Sequence, residues 1–172
     1  MSSTSELVVE INTDSAEMTR EVAKDISVIL RPKDTVILTG DLGAGKTQFV
    51  KGVATALHVK DSVVSPTFII GAIYEGDLKL IHIDAYRLDS LYEVLDLGLD
   101  DEFLDSICLI EWGNKIADFV ENVFLTVVFG FGEVENERLL KVYCHDQNRL
   151  DDVKKVMVDG LYFSRKEKEI SK

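Results

Sequence analysis

Gly40-Asp41-Leu42-Gly43-Ala44-Gly45-Lys46-Thr47 matches G-x-x-x-x-G-K-[ST] at every specified position. At average residue usage, a chance match in a chain of this length is on the order of one in two hundred. Glycines let the main chain adopt positive φ and approach an anion with no Cβ in the way. Successive N–H groups then converge at a helix N-terminus, which carries about half a positive charge. Lys46 adds a mobile cation suited to β- and γ-phosphates, and the Thr47 hydroxyl suits Mg²⁺. A plain glycine turn capped by Thr47 leaves Lys46 without a purpose. The loop points to a nucleoside triphosphate.

Two acids are candidates to complete such a site. Leu78–Ile83 ends in Asp84, and Ile107–Ile110 ends in Glu111. Ligands of open α/β sheets bind beyond the carboxyl ends of the strands, so both side chains are expected at the same rim as Lys46. Mg²⁺ takes only one or two oxygens from protein, so one acid can serve the metal, directly or through water, while the other orients an attacking water. The plainer alternative is that either acid merely caps a following turn. Ser65-Pro66-Thr67 is a weaker signal. Pro66 forces Ser65 into an extended conformation, which can hold the Thr67 hydroxyl outward as a γ-phosphate sensor, though an ordinary proline turn explains it equally well. His82 alternates with Asp84, and a packed, hydrogen-bonded strand histidine is the simpler reading than a proton carrier.

The elements that must position these groups are legible as short apolar runs. Leu7–Ile11, Thr35–Thr39, Val63–Val64, Phe68–Ile73, Leu78–Ile83, Ile107–Ile110, Val123–Phe129 and Leu139–Cys144 read as strands. Several are continuous rather than alternating, as expected of strands covered on both faces. Ser15–Leu30 places Met18, Val22, Ile26 and Ile29 at helical spacing, with Asp14 or Ser15 as N-cap. Thr47–Leu57 forms the helix after the loop. Ser90–Leu95 and Asp100–Leu104 read as short helices broken at Gly98, and Trp112–Phe119 as a further one. Phe129–Gly132 with Glu133–Glu137 reads as the turn of an antiparallel hairpin. Strands alternating with helices predict an α/β sandwich with a mostly parallel sheet and this hairpin near its C-terminal end.

The chain has 172 residues, with 31 acidic and 19 basic side chains and a net charge of −12. One domain over residues 1–163 and a charged, flexible tail over 164–172 are expected. The acidic balance disfavours an independent grip on nucleic acid or on an anionic membrane, because both depend on Lys and Arg. Cys108 and Cys144 sit in strand-like runs and read as buried free thiols. No run approaches the roughly 18 apolar residues of a membrane span, and Met1–Ile11 lacks a signal-peptide pattern, so a cytoplasmic protein is expected.

Taken together, the loop at 40–47, Ser-Pro-Thr-Phe at 65–68, His-x-Asp-x-Tyr-Arg-Leu at 82–88 and Ile-Glu-Trp at 110–112 resemble the TsaE (YjeE) family in order and spacing. The resemblance covers about Ser15 to Arg138. These are bacterial P-loop ATPases required for N6-threonylcarbamoyladenosine (t6A) in tRNA. The resemblance implies a P-loop NTPase-like three-layer sandwich, ATP and Mg²⁺ as cofactors, Gly40 to Thr47 around the phosphates, and Thr47 with Glu111 at the metal as a Walker B-like acid. It further implies Asp84 near the γ-phosphate, Thr67 in a switch-like loop and Trp112, the sole tryptophan, beside the nucleotide. Arg138 resembles the family's basic residue near the nucleotide, and Thr13 and Ser15 a segment bordering the base. The implied partner is the TsaB–TsaD pair, with TsaD most directly engaged and tRNA met only indirectly. ATP-bound protein would dock there, through the Asp96–Phe103 acidic segment and the switch-like loop, and hydrolysis would reset the assembly.

Three other readings compete. A small-molecule kinase usually clamps its phosphates with clustered arginines, but Arg20, Arg31, Arg87, Arg138, Arg149 and Arg165 are never closer than eleven residues. A GTPase is disfavoured because Asn114-Lys115-Ile116-Ala117-Asp118 places its Asp one residue late for N-K-x-D. A noncatalytic nucleotide-sensing adaptor shares the loop and differs only in turnover. With no evident arginine finger in cis, hydrolysis by the isolated chain is expected to be slow.

Overall fold

In the computed structural model, which describes residues 5–66, 68–88, 93, 96 and 98–158, strand β2 (Thr35–Gly40) runs through the middle of a seven-stranded sheet. Val36, Ile37 and Leu38 are buried because both faces of this strand are covered. Around it stand β1 (Glu6–Thr13), β3 (Gly71–Tyr74), β4 (Lys79–Asp84), β5 (Ser106–Glu111), β6 (Val123–Phe131) and β7 (Arg138–Cys144). The order is β1-β7-β6-β2-β5-β4-β3. The four central strands β6, β2, β5 and β4 are parallel. The predicted hairpin is β6–β7, and β1 and β3 also pair antiparallel at the two edges. The parallel core is therefore framed by antiparallel strands on both sides.

Helices α1 (Ala16–Ser27), α2 (Lys46–Ala56) and α4 (Leu150–Val158) cover one face, and a four-residue helix, α3 (Asp100–Phe103), packs beside the other. Ser15, outside α1 in extended conformation, accepts the Met18 N–H at 3.2 Å and so caps the helix. Val22 and Ile26 then share one buried core with Phe49 and Val50 of α2 and with Leu38, Leu109 and Leu125 of the sheet. Among the described residues the opposite layer carries only short elements. There Ile81, Ile83, Cys108 and Ile110 form a second core cluster with Leu88 and Ile116, against which Trp112 and Val120 pack. The chain after β5 makes two 3₁₀ turns, Gly113–Lys115 and Ala117–Phe119. Helix α4, which was not anticipated, buries Leu150, Val153 and Met157 at helical spacing. Arg149 anchors its start with a bidentate pair to Asp34 (2.6 and 2.9 Å) and a bond to the Ile29 carbonyl, over the Phe124 ring.

Three sequence expectations need correction. Val63–Val64 is not a strand, because β3 already occupies the edge of β4; Val63 is buried and Val64 exposed in irregular chain. The strand expected over Phe68–Ile73 begins only at Gly71, since Ile70 takes a left-handed φ of 68° that breaks the extended run. Trp112–Phe119 is two 3₁₀ turns rather than one helix. Trp112 is left-handed (φ 57°) and Ile116 lies at φ −124°, so neither continues a helical ladder. The helix expected over Ser90–Leu95 lies largely outside the described residues, and the 164–172 tail wholly so.

Candidate functional site

The loop between β2 and α2 is shaped by two glycines that no other residue replaces. Gly40 has φ 141°, and a Cβ there would lie 2.4 Å from the Phe129 carbonyl oxygen of the neighbouring strand. Gly45, at φ 106°, is the N-cap of α2 and turns the chain into the helix without a side-chain cap. The first-turn N–H groups of α2 are therefore free of a capping side chain, as an anion site at a helix N-terminus requires.

Lys46 opens that helix and is buried. Its Nζ donates to the carbonyls of Gly40 (2.6 Å) and Asp41 (2.8 Å) and lies 4.0 Å from the centroid of the Trp112 ring. Burial pulls the Lys46 pKa below the ordinary 10.5, and the carboxylates of Glu111, Asp84 and Asp41 oppose that shift. An ammonium has three protons, so one remains for an incoming anion.

Asp84 and Glu111 are register partners at the carboxyl ends of the parallel strands β4 and β5. Side chains of adjacent in-register residues share a face, which places both acids on the side of the sheet covered by α2. Thr47 Oγ1 donates to Glu111 Oε1 at 2.8 Å. Asp84 accepts the Tyr86 N–H at 2.9 Å and the Ser65 hydroxyl at 3.2 Å. A hydroxyl and a carboxylate side by side are hard oxygen donors of the type Mg²⁺ prefers. Among the described residues no three His, Cys, Asp or Glu side chains form a metal cluster. A divalent ion here would rest on this pair and on oxygens of its ligand.

These groups line one cleft of about 450 Å³, together with Leu42, Gly43, Gly45 and Trp112. Tyr86 closes one wall, its ring 5.0 Å from that of Trp112. The other residues singled out in the sequence stand at or beyond its edge. Arg138 reaches the loop from β7, donating to the Gly43 carbonyl at 3.3 Å while the Glu135 and Glu137 carbonyls hold it over Phe131. Thr13 is buried, its hydroxyl 3.0 Å from that of Thr19, and the Ser15 hydroxyl is engaged in capping α1. Thr67 lies outside the described residues. Sequence reasoning passed over Gln48, which lines the cleft and accepts from Arg20, and Tyr86; the latter's position two residues after Asp84 was the available signal. The pseudo-motif at 114–118 has a structural use. Asn114 accepts from Thr39, and Lys115 donates to the Tyr86 carbonyl.

A phosphate-type loop at the tip of a central parallel strand, leading into a helix, makes this a P-loop NTPase-like α/β protein. Residues 13–140 match the family model for "Threonylcarbamoyl adenosine biosynthesis protein TsaE". The chain belongs to the TsaE family. It is 36% identical over 151 residues to the tRNA threonylcarbamoyladenosine biosynthesis protein TsaE of Bacillus subtilis, covering 82% of this chain and 94% of that one. The Treponema pallidum protein of the same name is 38% identical over 114 residues, 66% of this chain and 84% of its own. The crystal structure of Bacillus subtilis YdiB superposes with a TM-score of 0.69 at 31% identity, over 87% of this chain and 93% of YdiB.

Proposed function

We propose that this chain is a Mg²⁺-dependent ATPase that supports t6A modification of tRNA by docking on the TsaB–TsaD pair and resetting it between turnovers. The observation that carries the reading is the Thr47–Glu111 hydrogen bond beside Lys46, in a cleft that opens onto the loop at 40–47. Lys46 and the α2 N-terminus bind the phosphate tail. Thr47 and Glu111 hold Mg²⁺, which when bound neutralises charge on the phosphoryl oxygens. Asp84, at the adjacent strand end, orients the attacking water and holds it in line by accepting its proton-bearing hydrogen bond. Trp112 and Tyr86 form an aromatic wall that narrows water access.

Turnover by the chain alone is slow in this reading, because among the described residues no arginine lines the cleft. The docking face is the rim around it. Leu42, which lines the cleft, is 84% exposed, and Val64, Phe68 and Ile69, close in sequence to the cleft residue Ser65, are exposed as well. Apolar side chains left in water around a ligand cleft suit a partner that covers them. The net charge of −12 accords with tRNA being held by the partner.

The test is tRNA modification by purified TsaB–TsaD with and without this protein and ATP. Multiple-turnover modification that requires both supports the proposal. Modification indifferent to the chain would favour a kinase or an adaptor.

A further inference from the structure

His82 lies within β4 with no exposed surface, yet it is a polar ring in an otherwise apolar run. Its Nε2 is 2.8 Å from Glu111 Oε1, the same oxygen that accepts the Thr47 hydroxyl at 2.8 Å. Its Nδ1 has no hydrogen-bond partner among the described residues. A carboxylate oxygen can only accept, so Nε2 carries the proton of this contact, and Nδ1 is the nitrogen left without a partner. Half of the ring's polar capacity is thus left unmet in the interior, and its one polar contact is with Glu111. That contact is diagonal. His82 is in register with Leu109, and Glu111 lies two residues further along β5 on the same face.

We propose that His82 is a positioning residue for the metal-holding pair, its Nε2–H fixing Glu111 Oε1 as the common acceptor. With that oxygen held, the Thr47 hydroxyl directs its proton to Glu111 and keeps its lone pairs for a divalent cation. Glu111 Oε2 receives no donor among the described residues and is the carboxylate oxygen left for the cation or its water. Hydrogen bonds behind a liganding carboxylate set its orientation, and losing one typically weakens metal binding about 10- to 100-fold. The inference rests on the Mg²⁺–nucleotide reading above and assigns His82 within it.

The experiment titrates the full chain with ATP, first in EDTA and then at rising Mg²⁺, and follows Trp112 fluorescence. His82→Met removes the donor at similar volume. His82→Asn keeps a polar side chain too short to reach Glu111, and His82→Gln restores an N–H near the Nε2 position. In EDTA all four proteins should bind ATP within about twofold of one another, since His82 touches neither the loop nor Lys46. The Mg²⁺ concentration for half-saturation should rise about tenfold or more in His82→Met and His82→Asn, and His82→Gln should recover most of it. Wild-type Mg²⁺ dependence in the Met and Asn variants overturns the proposal, as does an equal loss in Gln and Asn. Should His82→Met not fold, the Asn and Gln pair decides alone. If the wild-type chain binds no ATP in either condition, the nucleotide reading itself falls and this role with it. Binding in EDTA with unchanged metal dependence removes only the role of His82.

Discussion

The hydroxyl of Thr47 donates to Oε1 of Glu111 across 2.8 Å, although the two residues stand 64 positions apart. One belongs to the first turn of the helix after the loop and the other to the tip of a neighbouring strand. Removing either should therefore act on the same event in different ways. Thr47→Ala is expected to abolish the Mg²⁺-dependent gain in ATP affinity. Glu111→Ala and Asp84→Ala should lose hydrolysis with smaller losses in binding. Calorimetry with and without Mg²⁺, beside phosphate release, separates the two effects. Wild-type turnover in an Asp84→Ala, Glu111→Ala double variant would remove both acids from the mechanism.

Lys46→Ala should weaken ATP binding roughly 10- to 100-fold, the scale of one charge-assisted hydrogen bond of about 1.5–3 kcal/mol. The wild-type site should also respond to pH. Burial lowers the Lys46 pKa from 10.5, and phosphate oxygens favour its charged form, so binding takes up a proton once pH exceeds the pKa of the free protein. Affinity should be flat below that point and fall above it, with an onset lower than an ordinary lysine gives. The same shift has the opposite sign for folding. The unfolded chain holds this proton more tightly, so the contribution of Lys46 to stability improves as pH rises from its lowered pKa toward 10.5. ATP titrations and unfolding at matched pH values would read the two trends.

Gly40→Ala places a methyl group 2.4 Å from the Phe129 carbonyl oxygen at a φ of 141°. The cost is expected at about 2 kcal/mol or more, from strain and overpacking together. A lowered midpoint in denaturant unfolding, accompanied by lost ATP binding, is the anticipated result. An unchanged midpoint would show that β2 and β6 can separate at this point.

Arg149→Ala leaves the Asp34 carboxylate, only 11% exposed, without its bidentate partner and uncovers the Phe124 ring. Losing one member of a largely buried pair costs about 3 kcal/mol. The expected loss of stability should come with unaltered ATP affinity, because Arg149 lies far from the loop in the fold's wiring, joining α4 to the start of β2. Denaturation curves and calorimetry on the one variant check both halves.

The loop at 40–47, the strand before it and the helix after it were legible from residue types, because they depend on short-range conformational rules. Glycines take positive φ where a Cβ would clash, and β-branched residues run into a central strand. The same applies to Asp84 and Glu111, each visible at the end of an apolar run. Some boundaries failed for a related reason. Val63–Val64 has strand-like composition, but a strand also needs a neighbour, and β3 takes that place. The helix expected over Trp112–Phe119 is instead two 3₁₀ turns, because Trp112 is left-handed and Ile116 leaves the helical region between them.

Sequence alone thus determined that a glycine-rich loop joins a strand to a helix at 40–47 and which residue types surround it. Only the tertiary structure decided that Asp84 and Glu111 stand in register on one face, and that Thr47 and His82 share one oxygen of Glu111. It also decided that Lys46 lies against Trp112, and that the parallel core has antiparallel strands at both edges. The division has a physical cause. A loop conformation is set by the φ and ψ preferences of a few consecutive residues. Convergence of side chains from separate strands is set by sheet register and helix packing, which depend on long-range contacts summed over the whole core.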